Sequence, residues 1–255
     1  MLERIEGYIL YLKQEGEDIS NSDLYECIKG ISEEIAQETN YKGKNMSLDR
    51  GSAMDVLCRI ILGTAFETPE KALEYCKIAR MTTKSGVDIL VKDLFTEESF
   101  KDAVTHLWNV RKVYVDVLGY TLWTAPFTIY TEDYTNEDGS SINIAGEIDM
   151  LAIDKDGRPI IIDFKTSKYP FFDENGKLSS SFTTVGEKAI KSAQEQYINQ
   201  QSAYIEMLNE TTRKETTFAG GFKCNEARLL PIRLISNPRK SDIIGTVDIQ
   251  FSKDQ

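Results

Sequence analysis

The stretch Pro159-Ile160-Ile161-Ile162 is continuously apolar and rich in β-branched residues. Such a run, ended by the charged Asp163 and Lys165, fits a strand buried on both faces. A sheet flanked by helices satisfies that demand. Just upstream lies a second strand pattern, INIAGEIDMLAID, joined to RPIIIDFKTS through Asp154-Lys155-Asp156-Gly157-Arg158.

Two turns fit this connection. A three-residue loop over Lys155 to Gly157, a type I turn plus a left-handed glycine, sets Asp154 opposite Arg158. Asp149 then faces Asp163, Glu147 faces Lys165, and all four side chains share one sheet face. A two-residue turn at Asp156-Gly157 instead sends Asp149 and Asp163 to opposite faces. In the first register, two carboxylates with Cβ atoms about 5 Å apart repel each other unless a cation lies between them. Mg²⁺ takes hard oxygen ligands and usually only one or two protein carboxylates. Lys165 could orient or deprotonate a water, or stabilise charge building on a phosphate. The plainer reading is that Asp163 and Lys165 mark where the strand emerges at an exposed face.

Residues 1–117 read mostly as helix, with apolar residues at helical spacing in 1–14, 22–37, 52–63, 69–80 and 98–117. Thr68-Pro69-Glu70 is a helix start, a cap followed by proline in the first turn. TLWTAPFTIY is strand-like, and the polar loop TEDYTNEDGSS follows it. A helix is expected at about 186–209, then strands in TTFAGGFKC, ARLLPIRLI and IIGTVDIQF. FFDENGKLSSSFTTVG, at 171–186, reads as a Ser- and Gly-rich loop. The expected class is α/β, a mixed central sheet flanked by helices, with a helical N-terminal region. Residues 1–46 form a helical extension, and 47–255 a core carrying a helical insertion at about 64–117.

The composition, 41% hydrophobic and 28% charged, is that of a globular protein. A formal net charge of −11 argues against a protein that coats nucleic acid through a broad basic surface. It permits a local basic cleft, and acids that bind metal count toward the total. No apolar run approaches the roughly 18 residues of a membrane span. MLERIEGYILYLKQEGED carries acids within its apolar stretch and reads as an amphipathic helix, so the expected location is cytoplasmic. Cys27, Cys58, Cys76 and Cys224 form no CxxC pair and read as buried free thiols. His106 is the single histidine and reads as structural, which leaves serine or cysteine nucleophile chemistry without support.

Gly146-Glu147-Ile148-Asp149 and Asp163-Phe164-Lys165-Thr166 resemble the G-x-I-D and D-x-K-T elements of the PD-(D/E)XK nuclease superfamily, in its RecB-like, phage-type exonuclease branch. Gln200-Gln201-Ser202-Ala203-Tyr204 resembles the Q-x-x-x-Y helix of that branch, with Gln200 and Tyr204 on one helix face. Arg50-Gly51-Ser52-Ala53-Met54-Asp55 resembles its early helix, where G-[ST]-x-x-H usually ends in a metal-binding histidine. Asp55 stands at that position and is itself a hard ligand. Gly51 and Ser52 would let this helix approach the sheet closely. The glutamate often found in the strand before G-x-I-D is missing from Trp123-Thr124-Ala125-Pro126-Phe127. The resemblance spans roughly residues 47–235.

The resemblance implies a restriction-endonuclease-like core and phosphodiester hydrolysis dependent on Mg²⁺ or Mn²⁺. The implied substrate is DNA, single- or double-stranded, and the implied activity an exonuclease of recombination, repair or phage DNA processing. Asp149, Asp163 and Asp55 would hold one or two ions, with the Phe164 backbone carbonyl as a further ligand. Lys165 would position the attacking water, and Gln200 and Tyr204 would support Lys165, the water or the phosphate. Lys168, Lys188, Lys191 and Arg233 are candidates for phosphate contacts and read equally as solvated surface charges. Relatives with iron–sulfur clusters group cysteines near the C-terminus, where only Cys224 lies here, so no cluster is implied. The alternative is a catalytically weak or inactive nuclease-fold subunit that binds nucleic acid or a helicase or recombination partner. No membrane partner is expected.

Overall fold

The computed structural model describes residues 46–125, 127–135, 139–167, 186–214, 223–233 and 249–252. The helices expected at 1–14 and 22–37, Cys27, Lys168, the loop after Ser167 and most of TTFAGGFKC lie outside these residues.

The described chain is mixed α/β. It runs through α1 (Met46–Gly63), α2 (Pro69–Cys76), β1 (Arg80–Thr82), β2 (Asp88–Leu90) and a 3₁₀ turn (Val91–Leu94). Next comes α3 (Glu97–Lys112), which closes in a π turn (Val113–Val117). Strands β3 (Thr121–Trp123), β4 (Phe127–Thr135), β5 (Ser141–Ile148), β6 (Met150–Ile153) and β7 (Pro159–Ser167) follow. Helix α4 (Gly186–Lys214) then leads to β8 (Glu226–Arg233) and β9 (Ile249–Ser252). At the start of α2, the Thr68 side chain accepts from the Lys71 amide and Pro69 fills the first turn. This helix stops at Cys76 and not at 80, because Arg80 already pairs in β1.

The main sheet has the order β3-β6-β7-β8-β9, with β7 and β8 parallel and the other pairs antiparallel. Strand β7 has a neighbour on each side, and both its faces are covered. Ile160, Ile162 and Phe164 enter a core shared with α1 and α3, while Ile161 enters a second core beneath α4. Burying each isoleucine contributes about 1.5–3 kcal/mol. The apolar run therefore does what its composition implies.

The hairpin takes the three-residue loop. The Asp154 amide donates to the Arg158 carbonyl and the Gly157 amide to the Asp154 carbonyl, each at 3.0 Å, and Gly157 has φ 80. The ladder runs from Ile153↔Pro159 to Met150↔Ile162, which brings Asp149 opposite Asp163.

Two expectations need correction. INIAGEIDMLAID and TLWTAPFTIY are not single strands. β3 lines the outer edge of β6, while β4 pairs with β5 in a separate two-stranded sheet. The flanking chain switches sheets between Trp123 and Phe127, so the strand it accompanies bends at Asp149. Beyond that bend the β6–β7 ladder does not continue, and Glu147 is not paired with Lys165. Its carboxylate accepts from Arg59 instead.

The region 64–117 is also not wholly helical, since β1 and β2 form a hairpin within it. That hairpin repeats the turn chemistry of the central one. The Thr83 amide donates to Val87 at 2.8 Å, the Gly86 amide to Thr83 at 2.9 Å, and Gly86 has φ 82. The turn is tied to α1, where the buried Asp49 Oδ1 accepts from the Lys84 amide at 2.8 Å. Cys58, Cys76 and Cys224 are buried free thiols. No helix among the described residues is long and apolar enough to cross a membrane.

Candidate active site

The site forms where the β5–β6 strand bends. Asp149 occupies the bend, and its Oδ2 accepts from the Phe164 amide at 2.8 Å. Asp163, 4% exposed, stands opposite on β7, and its carboxyl is within hydrogen-bonding reach of the Asp149 carboxyl. Two carboxyl groups approach this closely only when a proton or another cation lies between them. Burial pushes the Asp163 pKa up, the Lys165 ammonium opposes that shift, and Asp149 adds to it. Lys165 forms an ion pair with Asp163 Oδ2, and its Nζ lies 5.7 Å from the centre of the Tyr197 ring. Tyr197 is pushed up to about 12, by burial first and Asp163 second.

Helix α1 closes one side. It can approach because Gly51 has no side chain, and a Cβ there would stand 3.1 Å from Thr166 Oγ1 at the end of β7. One turn later Asp55 is held among site charges. Burial pushes its pKa up to about 6 and Asp149 pushes the same way, while Arg59, Lys165 and Lys84 pull it down. Asp55 thus lies within the electrostatic reach of Asp149, Arg59, Lys165 and Lys84.

Arg59 follows Asp55 by one turn and so shares its face. Its Nη2 lies 2.9 Å from Glu147 Oε1 and 3.6 Å from Asp149 Oδ1. Lys84 reaches the field of Asp55 because Asp49 pins the β1–β2 turn to α1. Sequence reasoning missed both cations. The spacing of Arg59 from Asp55 was a usable signal, whereas nothing in the sequence ties Lys84 to Asp49.

Helix α4 closes the opposite side. Gln200 Nε2 donates to Tyr204 Oη at 3.1 Å, so these two groups engage each other. The Tyr204 ring lies over Gly146, where an added Cβ would come to 3.0 Å from Cε1. Gly146 therefore makes room for Tyr204. Phe164 packs its ring into the core of α1 and α3, and its amide fixes Asp149. Lys188, Lys191 and Arg233 lie on α4 and β8, with side chains outside the described residues. His106 lies in α3, away from these groups in sequence, and burial lowers its pKa.

Carboxylate oxygens are the kind of donor a hard divalent cation takes. Asp149, Asp163 and Asp55 offer carboxylate oxygens, and burial disfavours the charged forms of Asp55 and Asp163 when no added cation is present. Among the described residues, no three His, Cys, Asp or Glu side chains stand close enough together to hold a metal ion. Mg²⁺ usually takes only one or two protein carboxylates and retains waters, and Asp149 and Asp163 are the two acids that face each other. The acid of the neighbouring strand does not join them, since Glu132 on β4 pairs with Lys214 at 2.9 Å. No family model matches this chain, and no curated protein matches it significantly.

Proposed function

We propose that the chain is a divalent-metal-dependent nuclease with a restriction-endonuclease-like core of the PD-(D/E)XK type, hydrolysing phosphodiester bonds in DNA. The observation that carries this reading is the facing pair Asp149 and Asp163, with Lys165 one side-chain repeat further along the same strand face.

Asp149 and Asp163 would hold Mg²⁺ or Mn²⁺, with Asp55 and the Phe164 carbonyl as further donors. The cation, when bound, offsets charge on the scissile phosphate and acidifies water. Lys165 pairs with Asp163 when no added cation is present, and a cation held by Asp149 and Asp163 would supply the charge that Lys165 now provides there. Lys165, released from Asp163, then orients the attacking water and stabilises negative charge on the phosphate. Tyr197 limits where the Lys165 ammonium can go, and Phe164 holds the Asp149 carboxylate in place. Arg59 and Lys84 supply local positive charge in a chain of net charge −11.

The test is incubation with linear and circular DNA, single- and double-stranded, with Mg²⁺ or Mn²⁺, beside Lys165→Ala. Metal-dependent cleavage lost in the variant is expected. No cleavage of any substrate, or cleavage equal in both proteins, removes the assignment. A second reading, a nuclease-fold subunit that binds nucleic acid or a helicase or recombination partner without cutting, is favoured by one observation. Arg59 already meets Asp149, one of the two facing acids, together with Glu147. DNA binding with no metal dependence and no cleavage would select it.

A further inference from the structure

Gln201 is fully buried, and among the described residues neither its amide oxygen nor its amide nitrogen has a hydrogen-bond partner. A buried amide in that condition is a liability, because its lost hydration is not repaid. Its neighbour Gln200 has no such deficit, since it engages Tyr204. The two glutamines therefore play different parts despite being adjacent.

The placement of Gln201 follows from its helical stripe. Tyr197, Gln201 and Ile205 succeed one another at single turns of α4, on the face turned to the sheet. Tyr197 faces Lys165, while Ile205 shares one apolar cluster with Ile161. On β7 the residue between Ile161 and Lys165 on that face is Asp163. Residues four apart on a helix rise about 6.0 Å and alternate strand residues about 6.6 Å, so two stripes running side by side keep step over two such intervals. Gln201 thus falls at the level of Asp163, whose Oδ2 makes no hydrogen bond of good geometry beyond its ion pair with Lys165.

We infer that Gln201 is a positioning residue for Asp163, holding its carboxylate through the side-chain amide once Lys165 leaves to meet substrate. This rests on the proposed nuclease reading and goes beyond the Q-x-x-x-Y resemblance, which singles out Gln200. The amide nitrogen donates to the carboxylate, and the amide oxygen remains to accept from a water. Outer hydrogen-bonding partners of this kind typically change metal affinity by about 10- to 100-fold when removed.

The opposed effects on folding and on binding make the inference testable. Gln201→Met has nearly the same shape and no hydrogen-bonding amide, and Gln201→Leu serves as a second packing variant. Thermal melts of the metal-free proteins and Mn²⁺ titrations by calorimetry would be compared with wild type and Asp149→Asn. The expected result is a Tm raised by roughly 2–4 °C in at least one variant, with Mn²⁺ affinity reduced about 10-fold or more in both. A lowered Tm in both variants would make Gln201 a structural residue and overturn the inference. A raised Tm with unchanged Mn²⁺ affinity would overturn it as well. Wild-type protein that binds Mn²⁺ no better than Asp149→Asn would instead remove the nuclease reading beneath it.

Discussion

The Phe164 amide donates to the Asp149 carboxylate across the point where the ladder between β6 and β7 stops. One side-chain oxygen therefore takes the place of a backbone acceptor, and the acid is oriented by the strand it faces. Asp149→Asn keeps an acceptor for this amide and should fold with near wild-type stability. Asp149→Ala leaves the amide of a 5%-exposed residue without it and should cost about 1–3 kcal/mol. Urea denaturation of both variants checks this, and equal stabilities would show that the bond does not hold the bend. Both substitutions should abolish Mn²⁺ binding.

Gly51 and Thr166 set the distance between α1 and the sheet. Alanine is favoured over glycine within a helix by about 1 kcal/mol, but here its methyl group meets Thr166 Oγ1. Gly51→Ala should therefore destabilise the wild type by about 1 kcal/mol. In a Thr166→Ala background it should stabilise by up to about 1 kcal/mol. A double-mutant cycle reads the coupling, and identical effects in the two backgrounds would mean that the helix is not held off by this contact.

Arg59 faces the same carboxylate that would hold the metal. Replacing it by methionine removes a competing positive charge and should tighten Mn²⁺ binding roughly fivefold, about 1 kcal/mol. Arg59→Lys keeps the charge and should stay near wild type. Isothermal titration measures both, and an unchanged affinity in Arg59→Met would place the cation elsewhere.

The sheet of β4 and β5 is fastened to α4 by a charge cluster. Glu210 accepts from Thr131 and Lys214, and Lys214 also meets Glu132. The hydrogen bond from Lys214, then that from Thr131, lowers the Glu210 pKa to about 2 from an ordinary 4.5. A carboxylate with a depressed folded-state pKa adds stability above its unfolded value and loses it as pH falls through the folded one. Melting temperature should thus fall more steeply from pH 4.5 to 2 in wild type than in Glu210→Gln. The cluster is solvent-accessible, so the difference should not exceed about 1 kcal/mol. Parallel pH profiles would show that the ion pair contributes nothing.

The central hairpin was legible because one residue decides its register. Gly157 alone can take the left-handed position cheaply, and the facing of Asp149 and Asp163 follows from it. The same logic reads Lys84-Ser85-Gly86, yet that hairpin went unseen because its three-residue strands carry too little alternation. The split between β3 and β4 was not legible either. Each half of TLWTAPFTIY looks like strand, and only its choice of partner separates them. Arg59 illustrates a third limit: its link to Glu147 spans the whole helical region and depends on how α1 lies against the bend.

The bend at Asp149 gives the molecule a joint with a carboxylate as its pin. The β4–β5 arm leaves the main sheet at that residue and is tied to α4, while Asp163 lies in the central strand. The spacing of the two acids is therefore set jointly by the central strand and by an arm that α4 anchors.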